Sequence, residues 1–102
     1  MITSRNFYIN GAWVPPVTPR DHHVIDPSTE DPCAVISIGD QGDTDAAVAA
    51  AKAAFPAWAA TAPEVRADYV KAILAQYEAR IDELAAAISM ELGAPIDMAS
   101  TS

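Results

Sequence analysis

Basic residues are scarce in this 102-residue chain: six Lys and Arg face fourteen Asp and Glu, a formal net charge of −8. A nucleic-acid surface needs clustered cations to displace counterions from phosphate, and an anionic membrane surface attracts the same clusters, so neither partner is expected. Cysteine is nearly absent. Cys33 alone cannot form an internal disulfide, which points to a reducing compartment and a cytoplasmic location. Long apolar runs are missing too. No segment approaches the ~20 apolar residues that span a bilayer, and Met1 to Asn6 carries no apolar run behind a basic cluster, so neither membrane insertion nor export is expected. Glycine occurs four times, at Gly11, Gly39, Gly42 and Gly93, never as G-x-G-x-x-G or a P-loop. Hydrophobic residues reach 51%, but alanine supplies much of that, so large side chains for a core are few.

What is present reads as a small α+β arrangement. Phe7 to Val14 is a hairpin signal, because Asn10-Gly11 accepts the positive φ angles of a type I′ turn between strand-forming residues. That turn pairs Tyr8 with Trp13, Phe7 with Val14 and Ile9 with Ala12, leaving apolar side chains on both faces of the ribbon. Pro15 and Pro16 stop the strand. A second strand pair, His23 to Ile25 and Cys33 to Ile38, flanks the turn Asp26-Pro27-Ser28-Thr29-Glu30-Asp31-Pro32. The β-hairpin region is thus 7–38.

The period then changes. Val48, Ala51, Phe55 and Trp58 recur at three- and four-residue steps, predicting a first helix over 43–58, capped by Asp43 or Thr44 and ended or kinked at Pro56. Thr61-Ala62-Pro63-Glu64 has the form of a capping box, predicting a long second helix over 62–92. Its stripe is Val70, Leu74, Tyr77, Ile81, Leu84 and Ile88, widened by Ile73, with Gly93 and Pro95 as the stop. The stripe fits a helix packed on a globular partner better than a coiled-coil seam. Two N-terminal antiparallel strand pairs followed by two helices, in a single partial domain over 1–102, is the expected fold class.

Candidate chemistry is sparse. Cys33 has no cation or base beside it to lower its pKa, and Asp31 disfavours a thiolate, so it reads as structural. Adjacent His22 and His23 point to opposite faces of a strand and cannot chelate one ion together. Asp82, Glu83 and Glu91, placed toward the end of the long helix, read as a solvated face. No G-x-S-x-G elbow is present.

The order of these segments carries a resemblance. Tyr8-Ile9-Asn10-Gly11-Ala12-Trp13 resembles the opening hairpin of the aldehyde dehydrogenase superfamily, and Ile25-Asp26-Pro27-Ser28-Thr29 its Asn/Asp-Pro-Ala/Ser-Thr turn. Asp43 to Phe55, followed by Trp58, is similar to that family's Ala-rich first helix. Glu91-Leu92-Gly93-Ala94-Pro95 is similar to its Glu-Thr-Gly-Lys-Pro run, from which Leu92 and Ala94 depart. From about Phe7 onward the chain therefore resembles the N-terminal part of the α/β aldehyde dehydrogenase fold.

The resemblance implies a full-length parent that oxidises an aldehyde to a carboxylic acid, or a thioester in one branch, through a cysteine thiohemiacetal that passes hydride to NAD or NADP. It places the nucleophilic cysteine, the general-base glutamate, the oxyanion-hole asparagine and the Gly-rich cofactor contacts C-terminal to the equivalent of Ser102. Cys33 does not match the nucleophile's motif. Some members hold a monovalent cation on main-chain oxygens of the strand that Val24-Ile25 resembles, but the side-chain acid would fall just beyond Ser102. No catalytic, cofactor-binding or metal residue is assigned here, and no cofactor is expected to bind this chain alone. The expectation is an N-terminal piece of such an enzyme, inert by itself and prone to homo-oligomerise through exposed apolar helix faces. The alternative is a stand-alone, non-catalytic helical module that self-associates through Val70 to Ile88.

Overall fold

The computed structural model describes residues 1–101. Strands β1 (Ile2–Ser4), β2 (Phe7–Ile9), β3 (Ala12–Val14), β4 (Asp21–Ile25) and β5 (Pro32–Ser37) precede helices α1 (Gln41–Ala60), α2 (Pro63–Ala79), α3 (Ile81–Leu92) and α4 (Ile96–Ala99). The chain forms two compact units. One holds Met1–Ile25 and Pro32–Ala59; the other holds Asp26–Asp31 and Ala60 onward.

In the first unit, β2 and β3 pair antiparallel with Phe7 opposite Val14, Tyr8 opposite Trp13 and Ile9 opposite Ala12, the register that the Asn-Gly turn predicts. Asn10 and Gly11 take φ of 54° and 77°, both positive as a type I′ turn requires. The Tyr8 and Trp13 rings meet edge to face, 5.1 Å between centroids. β4 and β5 also pair antiparallel, with a register shift between Val24 and Ile25. The sheet has a third strand that the pattern does not announce: β1 pairs parallel with β5, giving the order β1-β5-β4. Only long-range pairing makes three exposed residues, Ile2, Thr3 and Ser4, a strand. The N-terminal segment is held further by Arg5, whose guanidinium donates to both carboxylate oxygens of Asp21 at 2.8 and 3.0 Å. The Ser37 hydroxyl donates to the Arg5 carbonyl at 2.7 Å. The buried apolar residues here are Ala34 and Val35 of the central strand and Pro16 of the loop after β3.

α1 is longer than predicted and runs through Pro56 to Ala60, so the proline does not end it. Pro56 has no N–H to give to the carbonyl four residues back, but the flanking turns remain helical.

In the second unit the turn after β4 is closed by backbone bonds, Glu30 N–H to Asp26 O at 2.7 Å and Asp26 N–H to Asp31 O at 3.0 Å. The Asp26 carboxylate accepts the Ser28 N–H at 2.8 Å. Two expectations for the helices fail here. The long helix is broken: α2 ends and α3 begins at Arg80, whose φ and ψ of −119° and 16° lie outside the helical region. The predicted stripe is divided accordingly, with Val70, Leu74 and Tyr77 on α2 and Ile81, Leu84 and Ile88 on α3. Nor is Thr61 the cap of α2. A residue before proline is pushed out of the α region, so Ala62, at φ −57° and ψ 141°, becomes the N-cap with no side-chain capping bond, and Pro63 takes the first helical position. That shift leaves Glu64 at the second helical position, one place too early to complete a capping box.

Gly93 does stop α3, at φ 79°, with its N–H on the Ser89 carbonyl at 2.9 Å. A Cβ there would also lie 2.9 Å from Cγ of Pro27. The short α4 follows Pro95 as its N-cap. Ala85 and Ala99 are the buried apolar residues of this unit.

Candidate functional site

The most highly organised polar cluster lies where the loop after β3 meets the start of α1. Neither Asp43 nor Thr44 caps this helix; Asp40 does. Its Oδ1 accepts the N–H groups of Gly42 at 3.0 Å and Asp43 at 3.3 Å, while Oδ2 of Asp43 accepts the Asp40 N–H at 3.0 Å. This is the reciprocal arrangement of a capping box, starting earlier than the helical periodicity suggests. Oδ1 of Asp43 accepts the Val17 N–H at 2.9 Å, so one carboxylate joins the proline-terminated loop to the helix. Asp43 is buried, and the backbone N–H groups of Asp40 and then Val17 hold its carboxyl below the ordinary aspartate range. Both oxygens are engaged with main chain, which makes Asp43 a structural clamp rather than a proton carrier.

Beside this clamp, α1 and the β2–β3 hairpin bound two open grooves. One, of about 540 Å³, runs past Ile9, Val14 and Val17 to Asp43; the other, of about 380 Å³, has the Asn10-Gly11 turn on one wall and Ala47, Ala50 and Ala54 on the other. Their walls are almost entirely apolar or main chain. They supply no side-chain base, nucleophile or cation aimed at a common point.

The other residues considered for chemistry lie apart. Cys33 is half-buried in β5, its thiol donating to the Val24 carbonyl at 3.4 Å. His22 and His23 sit opposite Ile36 and Val35 on β4, at successive exposed positions of the strand. Among the described residues no three His, Cys, Asp or Glu side chains converge as a metal site would require. Asp82 and Glu83 are not toward the end of a helix as expected. The break at Arg80 puts them in the first turn of α3, where the dipole favours them, and Glu83 pairs with Arg80 at 2.6 Å on the surface. Glu91 stays exposed in the last turn of α3.

In doubly wound folds the pyrophosphate of a dinucleotide lies on glycine backbone at a strand-to-helix turn with free N–H groups. At the turn before α1, a Cβ built on Gly42 would lie 3.3 Å from Cγ2 of Val17, and the N–H groups of Gly42 and Asp43 are already bound to Asp40. The negative side chains there repel phosphate as well.

Comparison with known proteins bears on the whole chain rather than on any one residue. The pattern of the aldehyde dehydrogenase family matches residues 13–102. The 3-succinoylsemialdehyde-pyridine dehydrogenase of a Pseudomonas species is 40% identical over 90% of this chain, which covers 19% of that protein. The peroxisomal aminoaldehyde dehydrogenase 2 of Pisum sativum is 38% identical over 97% of this chain and 21% of its own length. Among solved structures, an aldehyde dehydrogenase of Bartonella henselae superposes on all of this chain with a TM-score of 0.97 and 54% identity, over 21% of that chain. A Pseudomonas syringae aldehyde dehydrogenase, crystallised with NAD⁺ and octanal, superposes on 96% of it with a TM-score of 0.93 and 44% identity, over 20% of that chain. The chain thus spans about a fifth of the length of the relatives it matches.

Proposed function

The chain belongs to the aldehyde dehydrogenase family and matches its N-terminal segment, and from that premise we propose that it is scaffold of an enzyme oxidising an aldehyde to a carboxylic acid with hydride transfer to NAD or NADP. In this reading residues 1–102 contribute no reacting group. The hairpin, the three-stranded sheet and the helices form one part of a cytoplasmic homo-oligomer whose nucleophile, base and cofactor loops belong to other parts of the enzyme. By itself the segment neither binds the dinucleotide nor turns over an aldehyde.

The observation that carries this reading is the superposition of the full chain on one fifth of solved aldehyde dehydrogenases, with more than half its residues identical in one case. At that identity the shared backbone reflects common descent rather than a convergent α+β shape. NAD is the cofactor present with the Pseudomonas syringae relative, which favours it over NADP. The apolar side chains left exposed on the helices agree with a segment that needs covering chain, because large wet apolar patches are uncommon on monomers.

The coding frame tests the reading. A frame that runs past the codon for Ser102 into a Gly-rich nucleotide loop and a cysteine motif agrees with it. A stop codon at that point favours the self-association module instead.

A further inference from the structure

The two asparagines of the chain have different successors: Asn6 precedes Phe7, whereas Asn10 precedes Gly11. Asn10 and Gly11 are both exposed at the tip of the β2–β3 hairpin. A Cβ built on Gly11 would meet no atom within 4 Å outside the adjoining residues, so the side-chain position of Gly11 opens onto free space. The flanking strands have three residues each and pair only with one another. By itself a two-stranded ribbon of that length is marginally stable, which lowers the cost of opening the turn out of the type I′ well.

From this juxtaposition of an exposed asparagine, an exposed glycine with no side chain after it and a short ribbon, we propose that Asn10 is a site of spontaneous deamidation that alters the hairpin. The Gly11 nitrogen, losing its proton to a solvent base, attacks Cγ of Asn10. The new N–C bond closes a five-membered succinimide as the bond from Cγ to Nδ2 breaks, and the side-chain amide leaves as ammonia. Water then opens the ring at one of its two carbonyls, leaving an aspartyl or an isoaspartyl linkage. The net change is one amide and one water giving one acid and one ammonia, with no redox partner.

Both products bear on the fold. Each adds a negative charge beside the apolar wall of Ala47, Ala50 and Ala54 across the groove. The isoaspartyl form also lengthens the backbone by one methylene in a two-residue loop, which breaks the pairing of Tyr8 with Trp13 that the loop sets. The chain carries built-in comparisons in Asn6, whose successor is bulky, and in Gln41, which precedes Gly42 within α1 and whose amide donates to Asp45 at 2.8 Å.

The test is peptide mapping by mass spectrometry of the full chain incubated at mildly alkaline pH, with isoaspartate resolved from aspartate by chromatography. Asn10 should convert first, with isoaspartate the larger product, before change is detected at Asn6 or Gln41. Asn10→Gln must close a six-membered ring and should slow conversion at that position by about tenfold or more, since ring closure depends on the approach of the two groups. Equal rates at Asn6 and Asn10, or no conversion at Asn10 while Asn6 reacts, would overturn the proposal. Near-ultraviolet circular dichroism should change in step with isoaspartate in the parent chain and stay constant in Asn10→Gln. A hairpin signal unmoved by full conversion would refute the structural consequence.

Discussion

Asp43 is the residue on which most depends. Its carboxyl sits below the ordinary aspartate range because the backbone N–H groups of Asp40 and Val17 point at the ionised form. A carboxyl so lowered stabilises the fold fully above its unfolded-state value, and that contribution fades as the pH falls through the native one. Thermal melts followed from neutral to acid pH should therefore show a loss of stability below the ordinary aspartate range that Asp43→Asn largely removes. Asp40→Ala deletes the cap itself and should cost about 1 kcal/mol in a denaturant titration, the usual worth of an N-cap. At the other end of the chain, Gly93→Ala should cost about 1–2 kcal/mol for the left-handed backbone alone, and more from the contact with Pro27. Sequence reasoning found Gly93 but missed Asp40. A glycine before proline at the end of a periodic stripe has few other uses, whereas Asp40, Asp43 and Thr44 all have cap chemistry. Only the reciprocal bonds tell which one begins the helix.

Among the elements, the hairpin was the most legible, because a two-residue Asn-Gly loop fixes its own register. The first strand was the least, since it exists only through parallel pairing with β5, far along the chain. The second helical region was misread through its periodicity. Val70 to Ile88 keeps three- and four-residue steps across Arg80, but periodicity reports which face is apolar and not whether the backbone is continuous. Pro56 misled in the opposite sense, suggesting a boundary where the helix goes on. Replacing it should therefore help: Pro56→Ala restores an N–H donor inside α1 and should raise helical circular dichroism and stability, by at most about 3 kcal/mol.

The molecule as a whole has a thin core. Among the described residues the buried apolar ones are Pro16, Ala34, Val35, Ala85 and Ala99, while Phe55 is 66% exposed, Ile73 68% and Leu74 52%. Such surface should draw copies of the isolated chain together, so sedimentation should show concentration-dependent association, and Ile73→Asp with Leu74→Asp should shift it toward monomer. This apolar excess was visible in the sequence as stripes, but what covers them was not. The polar cluster at the start of α1 was not legible as a unit, because its partners Val17, Asp40 and Asp43 come from two separate segments. No phosphate loop or activated cysteine could be read, and the turn before α1 is filled by its own carboxylates.

If this chain is scaffold without cofactor contacts, calorimetric titration of the purified 102-residue protein with NAD is the most direct test. We expect no saturable heat at any accessible NAD concentration, and no NADH on adding an aldehyde. Saturable binding in the micromolar range would contradict the scaffold role, because it would place a nucleotide site on residues that here are committed to holding the fold.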